Sequence, residues 1–210
     1  MRHGRIKPLH VFGLLLASAG GLAASTALEA QSSSATTIGR ADLRALNGSG
    51  AKGQVELRLS SDDRTLTVKI QASGLETGGV HLGHVHGLSA NGQSVESTCP
   101  TSAQDSDSDG FVELAEGAAT YGPILVDFMN ADPDGDGRIN FSQTFDLSGA
   151  QAALPLEMRH IVIHGLSVGN AGNGTPGEVN GTAGYKTVLP VLCGEIKVTG
   201  LDPLKFRKPS

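Results

Sequence analysis

The histidines of this chain are concentrated in two short apolar segments. Of the seven histidines, five lie beyond residue 30, and all five fall within residues 80–87 and 159–165. If both segments are strands, side-chain alternation places His84 and His86 on one face, about 6.6 Å apart at Cα. Both imidazoles can then reach one metal ion. His81 is an odd number of residues from both and points the other way, or lies at a bend.

The second segment offers a third imidazole, His164. His160 shares its face but lies about 13 Å further along the strand, which is too far to join the same ion. We therefore expect His84, His86 and His164 to form one metal site. Three imidazoles suit copper, zinc or nickel better than magnesium or calcium. The alternative is that these histidines are surface residues or hydrogen-bonded core residues.

Residues 105–116 have the spacing of an EF-hand calcium loop. Carboxylates occupy loop positions 1, 3, 5, 9 and 12, a glycine occupies position 6, and position 7 contributes its carbonyl oxygen. The ligands predicted on this basis are Asp105, Asp107, Asp109, Phe111, Glu113 and Glu116. Hard oxygen ligands in this number favour calcium. The alternative is a solvated acidic turn.

Residues 132–143 follow the same pattern less completely. The corresponding positions are Asp132, Asp134, Asp136, Arg138, Asn140 and Gln143. An amide at position 12 replaces the bidentate glutamate of a strong loop, so we expect weaker calcium binding or none. Neither loop is preceded by a convincing helix, which indicates calcium loops inserted in a β fold.

The N-terminus has the features of a secretory signal peptide over residues 1–30. Three basic residues precede an uncharged apolar run, residues 11–28, and small residues follow near the expected cleavage point. An uncleaved N-terminal anchor is the alternative. The pattern predicts a secreted or periplasmic protein that is free of the membrane once the signal is cleaved.

The two cysteines agree with export. Cys99 and Cys193 are the only cysteines, and in an oxidising compartment they are expected to form one disulfide, with two buried free thiols as the alternative.

The chain is acidic, with 16 Lys and Arg against 21 Asp and Glu, so we do not expect it to bind nucleic acid.

The elements that must position these residues are short strands. Residues 53–59 and 64–72 alternate apolar and polar side chains about a polar stretch, which predicts a hairpin. About seven such strands separated by turn signals predict an all-β sandwich or barrel. The expected organisation is a linker over 31–44, a β domain over 45–200 with long metal-binding loops, and a basic tail over 201–210.

The order and spacing of these motifs resemble the Cu/Zn superoxide dismutase family. The strand with His81, His84 and His86, the arginine five residues before His164, and the Cys-Gly-x-Ile segment at Cys193 all match that family's pattern. The resemblance implies a Greek-key β-barrel of about eight strands and copper ligation by His84, His86 and His164. It also implies structural roles for His81 and Arg159, and a disulfide from Cys193 to the cysteine that follows the histidine strand, Cys99.

Two departures from that pattern affect the expected function. The family's bridging histidine and zinc ligands lie between the two histidine strands, whereas here no histidine occurs between His86 and His160. Zinc is therefore not expected. Pro190 stands where the family has an arginine that guides the anionic substrate. The His-x-His-Gly segment is also similar to chordin-type (CHRD) domains.

The sequence thus predicts an exported, superoxide dismutase-like copper protein, with superoxide as its implied substrate. Calcium is expected to order the long connection that zinc orders in the resembled family. The alternatives are a copper-capture protein without catalysis and a calcium-stabilised extracellular β module.

Overall fold

A computed structural model describes residues 36–172 and 177–202 as a mainly antiparallel β protein. Alternating apolar residues make the strands, and turn-forming residues end them. The strands are β1 Thr36–Ala45, β2 Lys52–Leu59, β3 Thr65–Ser73, β4 Leu82–His86, β5 Leu88–Ala90, β6 Gln93–Val95, β7 Ile124–Asn130, β8 Arg138–Asp146, β9 His160–Val168, β10 Gly184–Glu195 and β11 Lys197–Asp202. The helices are α1 Leu114–Tyr121 and the 3-10 turns Ser102–Gln104, Gln151–Ala153 and Leu156–Met158.

Eight of the strands form one nearly closed, barrel-like sheet. Its order is β7-β4-β9-β10-β1-β2-β3-β8, while β11 pairs with the N-terminal half of β1 and β5 pairs with β6 in a separate hairpin. Consecutive strands β3 and β4 are separated in the barrel by β8 and β7, and the chain crosses back from β8 to β9. These crossovers are Greek-key connections, and the predicted all-β barrel is confirmed.

The barrel interior is filled by every second residue of its strands. Leu57 of β2 and Val68 and Ile70 of β3 are fully buried, and their polar neighbours face outward. The sheet is open between β7 and β8, where the ring of Phe128 packs 5.7 Å from Phe141 and 5.3 Å from Phe145 between ring centroids. Because apolar side chains fill the interior of the barrel, polar sites can form only on its outer face.

The prediction of a linker over residues 31–44 is wrong from residue 36 onward. Residues 36–44 belong to β1, which pairs with β2 along Thr37 to Leu43 and with β11 at its N-terminal half. Ile38, Ala41 and Leu43 are buried in these pairings, so apolar spacing outweighs the local Ser and Thr content.

Both ends of the chain extend beyond the described residues. The predicted signal peptide, residues 1–30, lies outside them, as do residues 203–210 of the predicted basic tail. Residues 201 and 202 belong to β11. Within the described ranges, no helix has the length and apolar character needed to cross a bilayer.

The predicted disulfide is present between Cys99 and Cys193, with their Cα atoms 5.8 Å apart. It ties the connection before the first acidic loop to β10. The same strand pairs with β9 and β1, so the covalent link fastens a long surface connection directly to the barrel wall.

Arg159 is a second tie, formed without covalent chemistry. Arg159 is 1% exposed, and its guanidinium donates hydrogen bonds to the carbonyl oxygens of Leu88, Val95 and Leu154, among others. These acceptors lie on the β5–β6 hairpin and on the segment that enters β9. A Cβ at Gly87 would collide with the Arg159 side chain, which explains the glycine after His86.

Candidate metal centre

The three predicted metal-binding histidines converge on the outer face of the barrel. β4 and β9 are adjacent antiparallel strands, with His84 opposite Val162. The ring centroids of His84 lie 5.3 Å from those of His86 and 5.1 Å from those of His164, and the His86 and His164 rings are 5.9 Å apart. One nitrogen from each ring lies within 4.8 Å of the others, a spacing that could hold a single ion.

Backbone carbonyl groups fix the orientation of two of these rings. His86 Nδ1 is 2.9 Å from the carbonyl oxygen of Gly122, and His164 Nδ1 is 2.7 Å from that of Val188. Because a carbonyl oxygen only accepts, each Nδ1 carries the proton and each Nε2 keeps a free lone pair. Both Nε2 atoms are buried without a hydrogen-bond partner among the described residues.

In His84 the ring nitrogen unpartnered among the described residues is Nδ1, whereas in His86 and His164 it is Nε2. His84 Nε2 lies 3.5 Å from Oδ1 of Asp127, while His84 Nδ1 is buried and has no partner in the described part of the chain. The trio therefore offers one Nδ1 and two Nε2 atoms. Asp127 is on β7, which pairs with β4, so the carboxylate lies beside the His84 ring.

Asp127 was not predicted from the sequence. Asp127 is an acidic residue within the apolar segment that forms β7, which is a usable sequence signal. That signal could not be assigned to His84, however, without knowing that β7 is the neighbour of β4.

The other two histidines of the described chain are held differently. His81 is fully buried, with Nδ1 3.0 Å from the carbonyl oxygen of His164 and Nε2 2.8 Å from that of Glu76. His160 lies opposite His86, its ring stacked at 6.1 Å, and its Nδ1 is 2.9 Å from Ser97 Oγ. The Nε2 atom of His160 is also buried without a hydrogen-bond partner among the described residues, but the nitrogens of His160 are not part of the converging group. His160 is expected to lie about 13 Å from His164 along β9. The register between β9 and β4 nevertheless brings His160 next to His86.

Burial keeps the three converging imidazoles neutral. Burial lowers the pKa of His86 to about 4 and the pKa of His164 to about 3, in each case with repulsion from neighbouring histidines as a further contribution. Burial also lowers the pKa of His84, and Asp127 offsets part of that shift. Neutral imidazole is the form that binds a metal.

These pKa shifts predict a pH dependence for the metal-free protein. Below about 6.5 the unfolded chain takes up protons on His86 and His164, whereas the folded chain does so only near the lowered values. The unfolded state binds more protons in this window, so the free energy of unfolding falls as the pH falls from about 6.5 towards 4. Urea unfolding in EDTA between pH 7.5 and 5 measures it. The H86Q/H164Q variant should show a shallower dependence, and an equal slope for both proteins would refute the assignment.

The first acidic loop brings its predicted side chains together. Asp105, Asp107 and Glu116 form one group of carboxylate oxygens within 4.8 Å, and Asp107 also groups with Asp109 and Glu113. Amide N–H groups inside the loop donate to Asp105 and Asp109, which folds the loop around its carboxylates. Phe111 takes part through its backbone only. Burial raises the pKa of Asp109 and of Glu113, and the neighbouring carboxylates raise them further.

Helix α1 follows this loop and was not predicted. Glu113 is its N-cap, and Glu113 and Glu116 form a capping box. The ring of Tyr121, the last residue of α1, lies 4.9 Å from the ring of His86, and the next carbonyl, that of Gly122, accepts from His86. The helix therefore connects the acidic loop directly to one histidine of the trio.

The second acidic loop differs from the EF-hand prediction. Asp132, Asp134 and Asp136 lie together, with one oxygen from each within 4.8 Å. The prediction is wrong for Gln143, because residues 138–146 form β8 where an EF-hand continues into a helix. Asn140 and Gln143 are exposed and pair across the sheet with Gln71 and Val68. An extended strand carries Gln143 about 16 Å beyond Arg138, away from the carboxylates.

No protein-family model matches this chain, and no curated protein matches it either.

Proposed function

We propose that this protein is an exported, superoxide dismutase-like copper protein in which His84, His86 and His164 hold one copper ion. The observation that carries the proposal is the convergence of three buried ring nitrogens without partners in the described structure. An unsatisfied buried polar atom is costly, and three at one point are accounted for by a shared ligand. The disulfide supports an oxidising compartment.

The donor set supports copper. Three neutral imidazoles suit copper or zinc. The sequence resembles the Cu/Zn superoxide dismutase family at the copper ligands but lacks the family's zinc ligands. Copper bound there would supply one-electron redox chemistry, which the disproportionation of superoxide to oxygen and hydrogen peroxide requires. The carbonyls of Gly122 and Val188 and the carboxylate of Asp127 would hold the three rings in the binding orientation.

The surroundings of the trio favour slow turnover over fast. Pro190, in place of the guiding arginine, lies opposite His164 in the β9–β10 register and brings no charge. Asp127, which is half exposed, adds negative charge beside His84. An anionic substrate is steered by positive charge, so this site should collect superoxide less efficiently than a steered enzyme.

Copper stoichiometry and activity together test this function. We expect mature protein to bind one copper ion tightly and to disproportionate superoxide faster than copper chelated by free imidazole. H160Q, which removes a histidine outside the trio, serves as the matched control and should retain both properties. Tight copper binding without such activity would identify copper capture as the function, and absence of copper binding would refute the proposal.

We also propose that residues 105–116 bind calcium. Five carboxylates crowd into this loop, and Glu113 additionally accepts from the amide of Val179 while Glu178 accepts from that of Leu114. Calcium would offset part of the negative charge of the loop, fix α1, and thereby hold Tyr121 and Gly122 against His86.

Replacing Glu116 by glutamine tests the calcium proposal. Position 12 supplies two oxygens to the ion in loops of this type, so E116Q should weaken calcium binding at this loop and remove most of the calcium-dependent rise in melting temperature. Calorimetry with and without EGTA measures the effect. E96Q makes the same chemical change at an exposed residue outside the loop and should behave as wild type. An equal calcium response in E116Q and wild type would contradict the assignment.

A further inference from the structure

The turn between β7 and β8 gathers three carboxylates that the copper site does not use. One oxygen each from Asp132, Asp134 and Asp136 lies within 4.8 Å of the others. No Lys or Arg forms an ion pair with any of the three within residues 36–172 and 177–202. Like charges at this separation repel, and no basic side chain among the described residues offsets that repulsion.

Asp132 makes this turn different from an ordinary acidic surface cluster. The residue is only 1% exposed. Its Oδ2 accepts from the amide of Gly137 at 3.0 Å, whereas its Oδ1 is buried and has no hydrogen-bond partner among the described residues. A buried carboxylate oxygen without a partner is destabilising, and one oxygen of the same carboxylate lies within 4.8 Å of an oxygen of each neighbouring carboxylate.

The chemistry of the turn indicates which cation would satisfy it. All three donors are hard carboxylate oxygens, which suit calcium better than a soft or imidazole-seeking metal. Burial raises the pKa of Asp132, and the neighbouring Asp134 and Asp136 raise it further, as expected for a carboxylate that lacks its counter-ion. Strand β8 carries Gln143 away from these carboxylates, so this site lacks the position-12 ligand that Glu116 provides in the loop at 105–116.

We infer that Asp132, Asp134 and Asp136 form a second calcium site, built on a tight turn and independent of an EF-hand. The turn is joined to the β3–β4 connection by hydrogen bonds from the amide of Gly78 to the carbonyl of Gly135, 2.8 Å, and from that of Leu75 to Gly137, 3.2 Å. An ion here stabilises that connection against the barrel.

The same connection reaches the copper trio. The carbonyl oxygen of Glu76 lies 2.8 Å from His81 Nε2, and His81 Nδ1 lies 3.0 Å from the carbonyl oxygen of His164. Calcium in this turn therefore supports the backbone of His164, as the loop at 105–116 supports His86 through α1. This last step rests on the proposed copper function, whereas the calcium site itself does not.

Calcium stoichiometry in variants of the full mature protein tests the inference. The E116Q background weakens the first loop, and D134N/D136N then removes two exposed carboxylates of the turn without disturbing the core. Equilibrium dialysis against calcium should give two ions for wild type, one for E116Q and none for the triple variant. E116Q combined with E96Q/E157Q removes two exposed carboxylates elsewhere and should retain one ion.

The outcomes separate this site from the other proposals. One ion in wild type and none in E116Q would overturn the second site, as would one ion retained in the triple variant. Circular dichroism establishes that each variant is folded, and copper stoichiometry measured on the same samples reports on the trio separately. Hydrogen exchange should show calcium-dependent protection of residues 75–81 in E116Q, and this protection should be lost in the triple variant.

Discussion

Replacing His164 by alanine is expected to reduce copper affinity by more than the ~10–100-fold that loss of an outer-shell partner typically costs. The substitution removes one of three converging nitrogens and leaves only the two that share β4. H84A and H86A should have effects of the same size, because each ring contributes one nitrogen. Competition with a chelator of known copper affinity measures the change.

The matched control for this experiment is H160Q. His160 lies on the same strand as His164 and stacks on His86, but its nitrogens are outside the converging group. H160Q should therefore keep copper affinity within a few fold of wild type. Equal losses in H160Q and H164A would show that general disruption of β9, and not ligand removal, explains the result.

Replacing both cysteines by serine is expected to lower the free energy of unfolding by about 4–5 kcal/mol in the chain-entropy description of disulfides. Cys99 and Cys193 are 94 residues apart in sequence, so the bond removes a large closure entropy from the unfolded chain. Cys193 also packs beside Tyr121 and Val162 on the face that carries the trio. Urea unfolding of C99S/C193S measures the loss.

Reduction of the wild-type protein provides the comparison for the double variant. Both should unfold at similarly lower urea concentrations, because both lack the cross-link. A loss below about 1 kcal/mol in C99S/C193S would contradict the view that this bond is a main tie between the long connection and the barrel.

The trio was predictable because its signals are local. Alternation along one strand places His84 and His86 together, and the apolar segment ending in His164 supplies the other strand with histidines among the described residues. What remained beyond the sequence is the pairing of β4 between β9 and β7, which brings Asp127 to His84 and His160 to His86. Strand neighbours far apart in the chain are set by the closure of the whole barrel.

The sequence predictions that were wrong also failed because of contacts between distant parts of the chain. Residues 36–44 have the Ser- and Thr-rich surroundings of a linker, yet pairing with β2 and β11 makes them a strand. Gln143 fits position 12 of a calcium loop by spacing, but pairing with β3 holds the chain extended there. In both cases a tertiary contact overrides a local pattern. Helix α1 was missed because it has only eight residues and a weak apolar periodicity.

Each of the two acidic loops is connected to a different histidine of the trio. The loop at 105–116 leads through α1 to Gly122, which orients His86, and the turn at 132–137 leads through Glu76 and His81 to the backbone of His164. Calcium in both loops would therefore hold two copper ligands in place from separate directions. Removal of calcium should loosen copper binding without removing any copper ligand.

Anomalous X-ray scattering at the copper edge, measured on crystals of copper-loaded mature protein, is the most direct test of the central idea. The prediction is one strong peak at bonding distance from His84 Nδ1, His86 Nε2 and His164 Nε2 together. A peak bound by only one of these rings, or located on another part of the surface, would contradict the proposal that the barrel brings three imidazoles to a single ion.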